Sequence, residues 1–305
     1  MIPKPGRPGK FRLVQNFSFP ITPSAHFPNP SVNDAIDASL FLCTWGKFST
    51  IYLLISRLPP GSQAATRDIS EAYQTIPLHP SQWPAAVVRT SITHTCIDTC
   101  IAFRASPSGG AYGLIADAGA EIFRANSISP LDKWVDDHIF FRIPLSHLTE
   151  YNNDRQQWHA NVMHTGQRHT GSCIWYSGAT LPNGTTEEFS ESCIFPIRNL
   201  SNTSSRLEED AHFSYCIADI DQISCDLGIP WETSKDQPFT NLTIYIGFTW
   251  DLKKRMVALS EAKVEKYLKA INDWLARPNT PSNTCRNCTA SYYMRPPSYH
   301  EAVPT

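Results

Sequence analysis

Three carboxylates and one lysine carry the chemistry that this chain offers. Asp68 opens the string Asp68-Ile69-Ser70-Glu71-Ala72-Tyr73, and Asp136-Asp137 follow Trp134-Val135 and precede the apolar run Ile139-Phe140-Phe141. Gathered together, three carboxylates make a poor core but a good site for a hard divalent cation. Mg²⁺ takes oxygen ligands and keeps waters that phosphate oxygens can replace. Two such ions, Mg²⁺ or alternatively Mn²⁺, activate an attacking hydroxyl and stabilise a departing pyrophosphate. Asp136 is the expected bridging ligand beside Asp68, because the second member of the pair can point away from the strand face. Taken singly, each motif is weak: an Asp-Asp pair in a turn is ordinarily a solvated turn, and D-x-x-x-A-Y arises by chance. The order is more telling: basic strand, D-x-x-x-A-Y, helix, apolar hairpin with Asp-Asp at its tip, then a Gly-Phe strand.

Those residues need elements to hold them. Phe11 to Phe17 alternates as a strand does. Residues 20–38 read as loop. Phe48, Ile51, Tyr52 and Ile55 mark one helix face, ended by Pro59-Pro60-Gly61. Ala64 to Leu78 is a short apolar segment around Asp68, and Val87–Arg89 and Cys96–Phe103 read as strands. Ala111, Leu114, Ile115, Ala118, Ile122 and Phe123 keep a helical period after Gly109-Gly110. Leu131 to Phe141 reads as a β-hairpin with the two aspartates at its turn. Pro144 to Asp210 loses the pattern and reads as a partly ordered insertion. Phe213 to Leu227 recovers helical spacing, Ile244 to Trp250 reads as one strand that Val257–Leu259 pairs with, and Glu261 to Trp274 reads as a helix. The tail 277–305, rich in Pro, Ser and Asn, is expected to fray.

Composition excludes several classes. The chain has 305 residues, enough for one large domain or two ordinary ones, and 34 aromatic side chains, which argues against a disordered tail. Its 24 Pro exceed the roughly 15 of average usage. Nine Cys without a framework rhythm, and a start (Met-Ile-Pro-Lys-Pro-Gly-Arg) with no apolar core, predict reduced thiols in an intracellular protein of cytoplasm or nucleus. The stretch Leu40 to Ile55 is too polar to span a membrane. Six N-x-S/T sequons (Asn16, Asn183, Asn199, Asn202, Asn241, Asn287) leave a secreted glycoprotein as a weak third reading. The net charge of −2 argues against nucleic acid only until it is mapped. Residues 1–12 carry +4, the stretch Leu145 to Asn241 holds thirteen acids against five bases, and Asp251 to Arg277 carries +3. Steering depends on where charge sits.

In this order the residues resemble the polymerase domain of a reverse transcriptase, of the gypsy or tyrosine-recombinase kinds of fungal retrotransposon. The resemblance covers roughly residues 4–275. Lys10-Phe11-Arg12 is similar to the fingers strand whose bases touch an incoming triphosphate. Asp68 to Tyr73 resembles the first palm motif, which implies a metal ligand at Asp68 and a ring excluding a ribose 2′-hydroxyl at Tyr73. Phe103 to Tyr112 (FRASPSGGAY) resembles the FGLxNAPxxF segment that supports template and nucleotide. Trp134-Val135-Asp136-Asp137 resembles the YxDD hairpin, with Trp for Tyr against the primer. Leu227-Gly228-Ile229 through Lys235 resembles the fourth palm motif, which implies a proton donor to pyrophosphate at Lys235. Ile246-Gly247-Phe248 resembles the strand that grips the primer end. Three further positions depart from the family: Arg104 stands where it has Gly, Gly109 where it has Pro, and Asn16 where an Asp is common.

The resemblance implies an α+β right-hand fold: fingers and the first part of an antiparallel palm in 1–144, an acidic insertion at 145–210, and the end of the palm with the start of a thumb in 211–276. The thumb is expected to be largely missing. The implied catalytic set is Asp68, Asp136, Asp137 and Lys235, with two Mg²⁺ on Asp68 and Asp136. Lys10, Arg12, Tyr73 and Phe103 are the implied nucleotide contacts, and Trp134, Gly247 and Phe248 the primer contacts. The implied partners are a primed RNA or DNA template and deoxynucleoside triphosphates, with no membrane and an open oligomeric state. The competing reading is an inactive retroelement remnant that at most binds nucleic acid. Cys285-x-x-Cys288 has zinc-knuckle spacing without a second pair, and His159, His164 and His169 lack completing ligands. No P-loop, dinucleotide fingerprint or nucleophile elbow is present.

Overall fold

The computed structural model describes residues 2–3, 9, 11–12, 15–37, 40–41, 46, 48–89, 93–165, 168–170, 174–180, 186–189, 194–202 and 206–276; side chains in 1–8, 10–14 and 161–193 are outside that description. In chain order the elements are β1 (Ile2–Pro3), β2 (Phe11–Arg12), α1 (Phe48–Arg57), β3 (Gln63–Asp68), β4 (Val87–Arg89), β5 (Thr95–Ile97), α2 (Ser108–Ala125), β6 (Leu131–Trp134), β7 (Asp137–Arg142), α3 (Leu148–Thr165), β8 (Arg168–Thr170), β9 (Ile174–Thr180), β10 (Thr186–Phe189), α4 (Ile217–Leu227), β11 (Gln237–Thr240), β12 (Leu242–Tyr245), β13 (Phe248–Asp251), β14 (Met256–Leu259) and α5 (Glu261–Leu275). Every ladder among them is antiparallel. The fold is therefore α+β with antiparallel sheets. Among the described residues no helix is long and apolar enough to cross a membrane.

The central sheet has the order β11-β3-β7-β6. Its register places Ala64 opposite Phe141, Thr66 opposite Ile139 and Asp68 opposite Asp137. Side chains alternate across a strand, so Asp68 and Asp137 leave the same face as Ala64, Ile139 and Phe141. That face packs against Ile51, Leu54, Ile55 and Leu58 around α1, and against Tyr245, Phe248 and Trp250. Each of these α1 aliphatics is at most 4% exposed, worth about 1.5–3 kcal/mol of burial apiece. The opposite face, with Leu131 and Phe140, packs on Ala120 and Phe123 of α2 and Ile220 of α4.

Several expectations change in the structure. The helical period at 111–123 does mark α2, but Leu114, Ile115 and Ile122 face outward. The buried face mixes the small Gly110, Gly113, Ala116 and Ala120 with Tyr112, Asp117, Phe123 and Arg124, and the small residues let the helix approach its neighbours: a Cβ on Gly110 would sit 1.8 Å from the Phe41 carbonyl oxygen. Cys96–Phe103 is a strand only at its start, since β5 ends at Ile97. Ile244 to Trp250 is a hairpin rather than one strand. β12 and β13 pair Tyr245 with Phe248 across Ile246-Gly247, whose φ angles of +46° and +80° fit a turn with both central residues left-handed. The segment 145–210 is tied into the fold at both ends. Leu148, Tyr151 and Ile197 are buried in the core beside α1, and the Asn152 amide donates to the Ile197 carbonyl at 2.8 Å and accepts from its N–H at 2.9 Å. The side chains of His164 and His169, and the whole of 277–305 with its Cys285 and Cys288, lie outside the described residues.

Four acids of the acidic stretch pair with buried arginines. Arg67, with a side chain 3% exposed, pairs with Asp221 at 2.5 Å and Asp236 at 2.9 Å and stacks 4.7 Å from the Trp231 ring. Arg142 pairs with Asp210 between the Phe213 and Phe239 rings, and Arg206 pairs with Asp219 at 2.7 Å. Guanidinium suits such sites because it is planar, weakly hydrated and forked.

Candidate metal centre

Asp68 ends β3 and Asp137 begins β7, directly opposite in register; Asp136 occupies the turn from β6. Only Val135 and Asp136 separate the paired residues Trp134 and Asp137. Val135 takes a φ of +57°, uncommon for a β-branched residue, and packs among Ile69, Tyr112 and Ala116. Strain of this kind persists where the surroundings over-determine it. The result is one ligand oxygen from each of Asp68, Asp136 and Asp137, all within 4.8 Å of one another.

Bringing three carboxylates together has an electrostatic cost. Burial, a hydrogen bond with Asp68 and repulsion from Asp136 and Asp68 push Asp137 up to about 7, while the Lys235 ammonium pulls the other way. The donor set is all oxygen, the charge is concentrated, and two of the three groups are only half-buried. Those features fit a hard divalent cation among Asp68, Asp136 and Asp137.

The surrounding residues converge on this cluster. Lys235, half-exposed at the end of the turn Thr233–Lys235, bonds Asp68. A cavity of about 170 Å³ is lined by Asp68, Asp137, Lys235, Gln237, Tyr245 and Ile246 among others, which puts the β12–β13 hairpin beside the carboxylates. Trp134 is 39% exposed. Tyr73 packs between Phe103 and Tyr112, with ring centres 5.9 Å from each. Tyr112 feels the charge of Asp136 and Asp68, and burial with those charges raises its phenol well above the usual range. Phe248 is turned into the core, 9% exposed and edge-to-face with Phe48 at 5.1 Å. Arg12 lies in β2 with its side chain outside the described residues, as is the whole of Lys10.

Several supporting residues carried no signal in the sequence. The buried Tyr245 hydroxyl donates to the Asp137 carbonyl at 3.0 Å. His138 lies 3.0 Å through Nδ1 from the Asp136 carbonyl, and burial pushes its pKa down to about 3, so the ring is neutral. Asn33 clamps the turn beyond Phe103, donating to the Arg104 carbonyl at 3.1 Å and accepting from the Ser106 N–H at 2.8 Å. Arg104 there has a φ of +79°, the third position of a turn closed by Ala105 N–H to Ala102 O at 3.2 Å. That position favours glycine. Arg104→Gly is therefore expected to stabilise the protein by about 1 kcal/mol, the left-handed penalty less glycine's extra chain entropy. Chemical denaturation of the two proteins checks the sign.

No family model matches the chain, and no curated protein does. Two solved structures are similar at 11% sequence identity. One is the foamy viral protease-reverse transcriptase in complex with RNA/DNA hybrid, at a TM-score of 0.42, covering 74% of this chain and 20% of that one. The other is the foamy viral protease-reverse transcriptase dRH in complex with double-stranded DNA, at a TM-score of 0.44, covering 82% of this chain and 29% of that one. The chain thus spans less than a third of either.

Proposed function

We propose that the chain is the nucleotidyl-transferring part of an RNA-directed DNA polymerase of retroelement origin, its central sheet a palm. The observation that carries this is the register of Asp68 against Asp137 with Asp136 in the intervening hairpin turn, which converges three carboxylates at one end of the central sheet. Two Mg²⁺, when bound, supply charge neutralisation and Lewis acidity at the reacting phosphate. Asp68 and Asp136 would hold them. The primer 3′-oxygen forms its bond to the α-phosphorus of a deoxynucleoside triphosphate, and the bond to the bridging oxygen breaks to release pyrophosphate.

The remaining residues position and neutralise. The Tyr73–Phe103 wall bounds the sugar and base. Trp134 and the Ile246–Gly247 turn bracket the primer end. Lys235, half-exposed beside Asp68, would give a proton to the leaving pyrophosphate. Lys10 and Arg12 would meet the triphosphate by charge.

Primer extension tests the proposal. Purified chain with Mg²⁺ is expected to add the nucleotide complementary to an RNA template, and also to a DNA template. Binding of primed template without addition would instead favour the non-polymerising remnant.

A further inference from the structure

A lysine donates into the turn of the hairpin beside the carboxylates. Ile246 lines the cavity with Asp68, Asp137 and Lys235, and Ile246 and Gly247 both have left-handed φ. For a β-branched residue such as Ile246 that conformation is unfavourable, so the turn needs support beyond its two strands. Lys263, in the first turn of α5, provides it: Nζ donates to the Ile246 carbonyl at 3.0 Å and lies 5.5 Å from the centre of the Phe248 ring. Gly247 leaves the space this requires, since a Cβ there would fall 1.8 Å from Nζ and 2.0 Å from Cε. Partial burial, with the Lys266 charge, lowers the Lys263 pKa. An ammonium drawn out of water toward one turn carbonyl is a poor choice for stability alone, because its desolvation offsets much of the bond.

We infer that Lys263 is a positioning residue that latches the Ile246–Gly247 turn at the edge of the carboxylate site and so fixes where a primer end can lie. This rests on the nucleotidyl-transfer function proposed above. Lys263→Met keeps the aliphatic stem over Phe248 and removes the donor; Lys263→Arg restores a cationic donor.

The test uses the full chain and three measurements on each variant: steady-state single-nucleotide addition, thermal melting, and hydrogen exchange at the Gly247 and Phe248 amides. Lys263→Met is expected to raise KM for primed template about tenfold, equivalent to about 1.4 kcal/mol. KM for the nucleotide and the melting temperature should stay close to wild type, exchange at both amides should quicken, and Lys263→Arg should recover most of the loss. Unchanged KM for primed template in an active Lys263→Met protein overturns the inference, as does a loss that simply follows the melting temperature. If the wild type adds no nucleotide, the polymerase function fails, and the exchange measurement alone decides the latch: unchanged exchange overturns it.

Discussion

Asp136→Asn is expected to abolish nucleotide addition while leaving the metal-free protein more stable than wild type. The two effects share one cause. Asp136 sits in a two-residue turn with its carboxylate within 4.8 Å of those of Asp68 and Asp137, and its charge helps to push Asp137 up to about 7. Asparagine keeps the shape and removes one like charge, so the repulsion eases. The melting temperature in chelator should rise, at about 2–4 °C per kcal/mol for a chain of this size. The same change removes an anionic ligand from the cation site. Outer partners of metal ligands already cost about 10–100-fold when lost, so a ligand itself should cost more than about a hundredfold. Addition rates with saturating Mg²⁺ and melting curves in chelator check both halves. A variant that loses rate and melts lower has merely unfolded.

The largest stability effect is expected at Asp117, far less visible in the sequence. Asp117 of α2 is 0% exposed and pairs at 2.5 Å with Lys133 of β6, whose side chain is 5% exposed. Asp117→Ala takes the carboxylate from a buried ammonium and should cost about 3–5 kcal/mol. Replacing both partners with apolar residues of similar volume, Asp117→Leu with Lys133→Met, should recover most of that loss, because buried ion pairs repay their desolvation poorly. Denaturant unfolding of the two single variants and the double variant measures the coupling. A double variant as unstable as Asp117→Ala would show that the pair does more than satisfy itself. Lys133 lies opposite His138 in register, so its side chain leaves the sheet face away from Asp68 and Asp137, and nucleotide addition should fall only as far as folding does.

What could be read in the sequence follows the range of the interaction. The Asp136-Asp137 hairpin was legible because two apolar strands meet across a two-residue turn, a local pattern. α1 and α5 were legible from their period. The register that matters most, Asp68 against Asp137, joins strands about seventy residues apart and leaves no local trace. The β12–β13 hairpin was hidden because Ile246, an apolar β-branched residue, stands where Asn or Asp would have announced the turn. α2 was found but its faces were not, since the buried side interleaves Gly and Ala with Tyr112, Asp117 and Arg124 while Leu114, Ile115 and Ile122 lie outside. Tyr245, Lys263 and Asn33 each act through a backbone carbonyl supplied by a distant segment. The acidic stretch showed as net charge, yet several of its acids answer buried arginines, Arg67 and Arg142, in the central sheet.

The claim on which everything else depends is that Asp68, Asp136 and Asp137 work as one cation-dependent nucleotidyl-transfer site. The most direct measurement is pyrophosphate released per nucleotide joined to a primed RNA template, with Mg²⁺ and with chelator. The carboxylate site predicts one pyrophosphate for each nucleotide added, only when the nucleotide is complementary, and none in chelator or with Asp68→Asn. Folded wild-type protein that binds the primed template in Mg²⁺ but joins no nucleotide would contradict it.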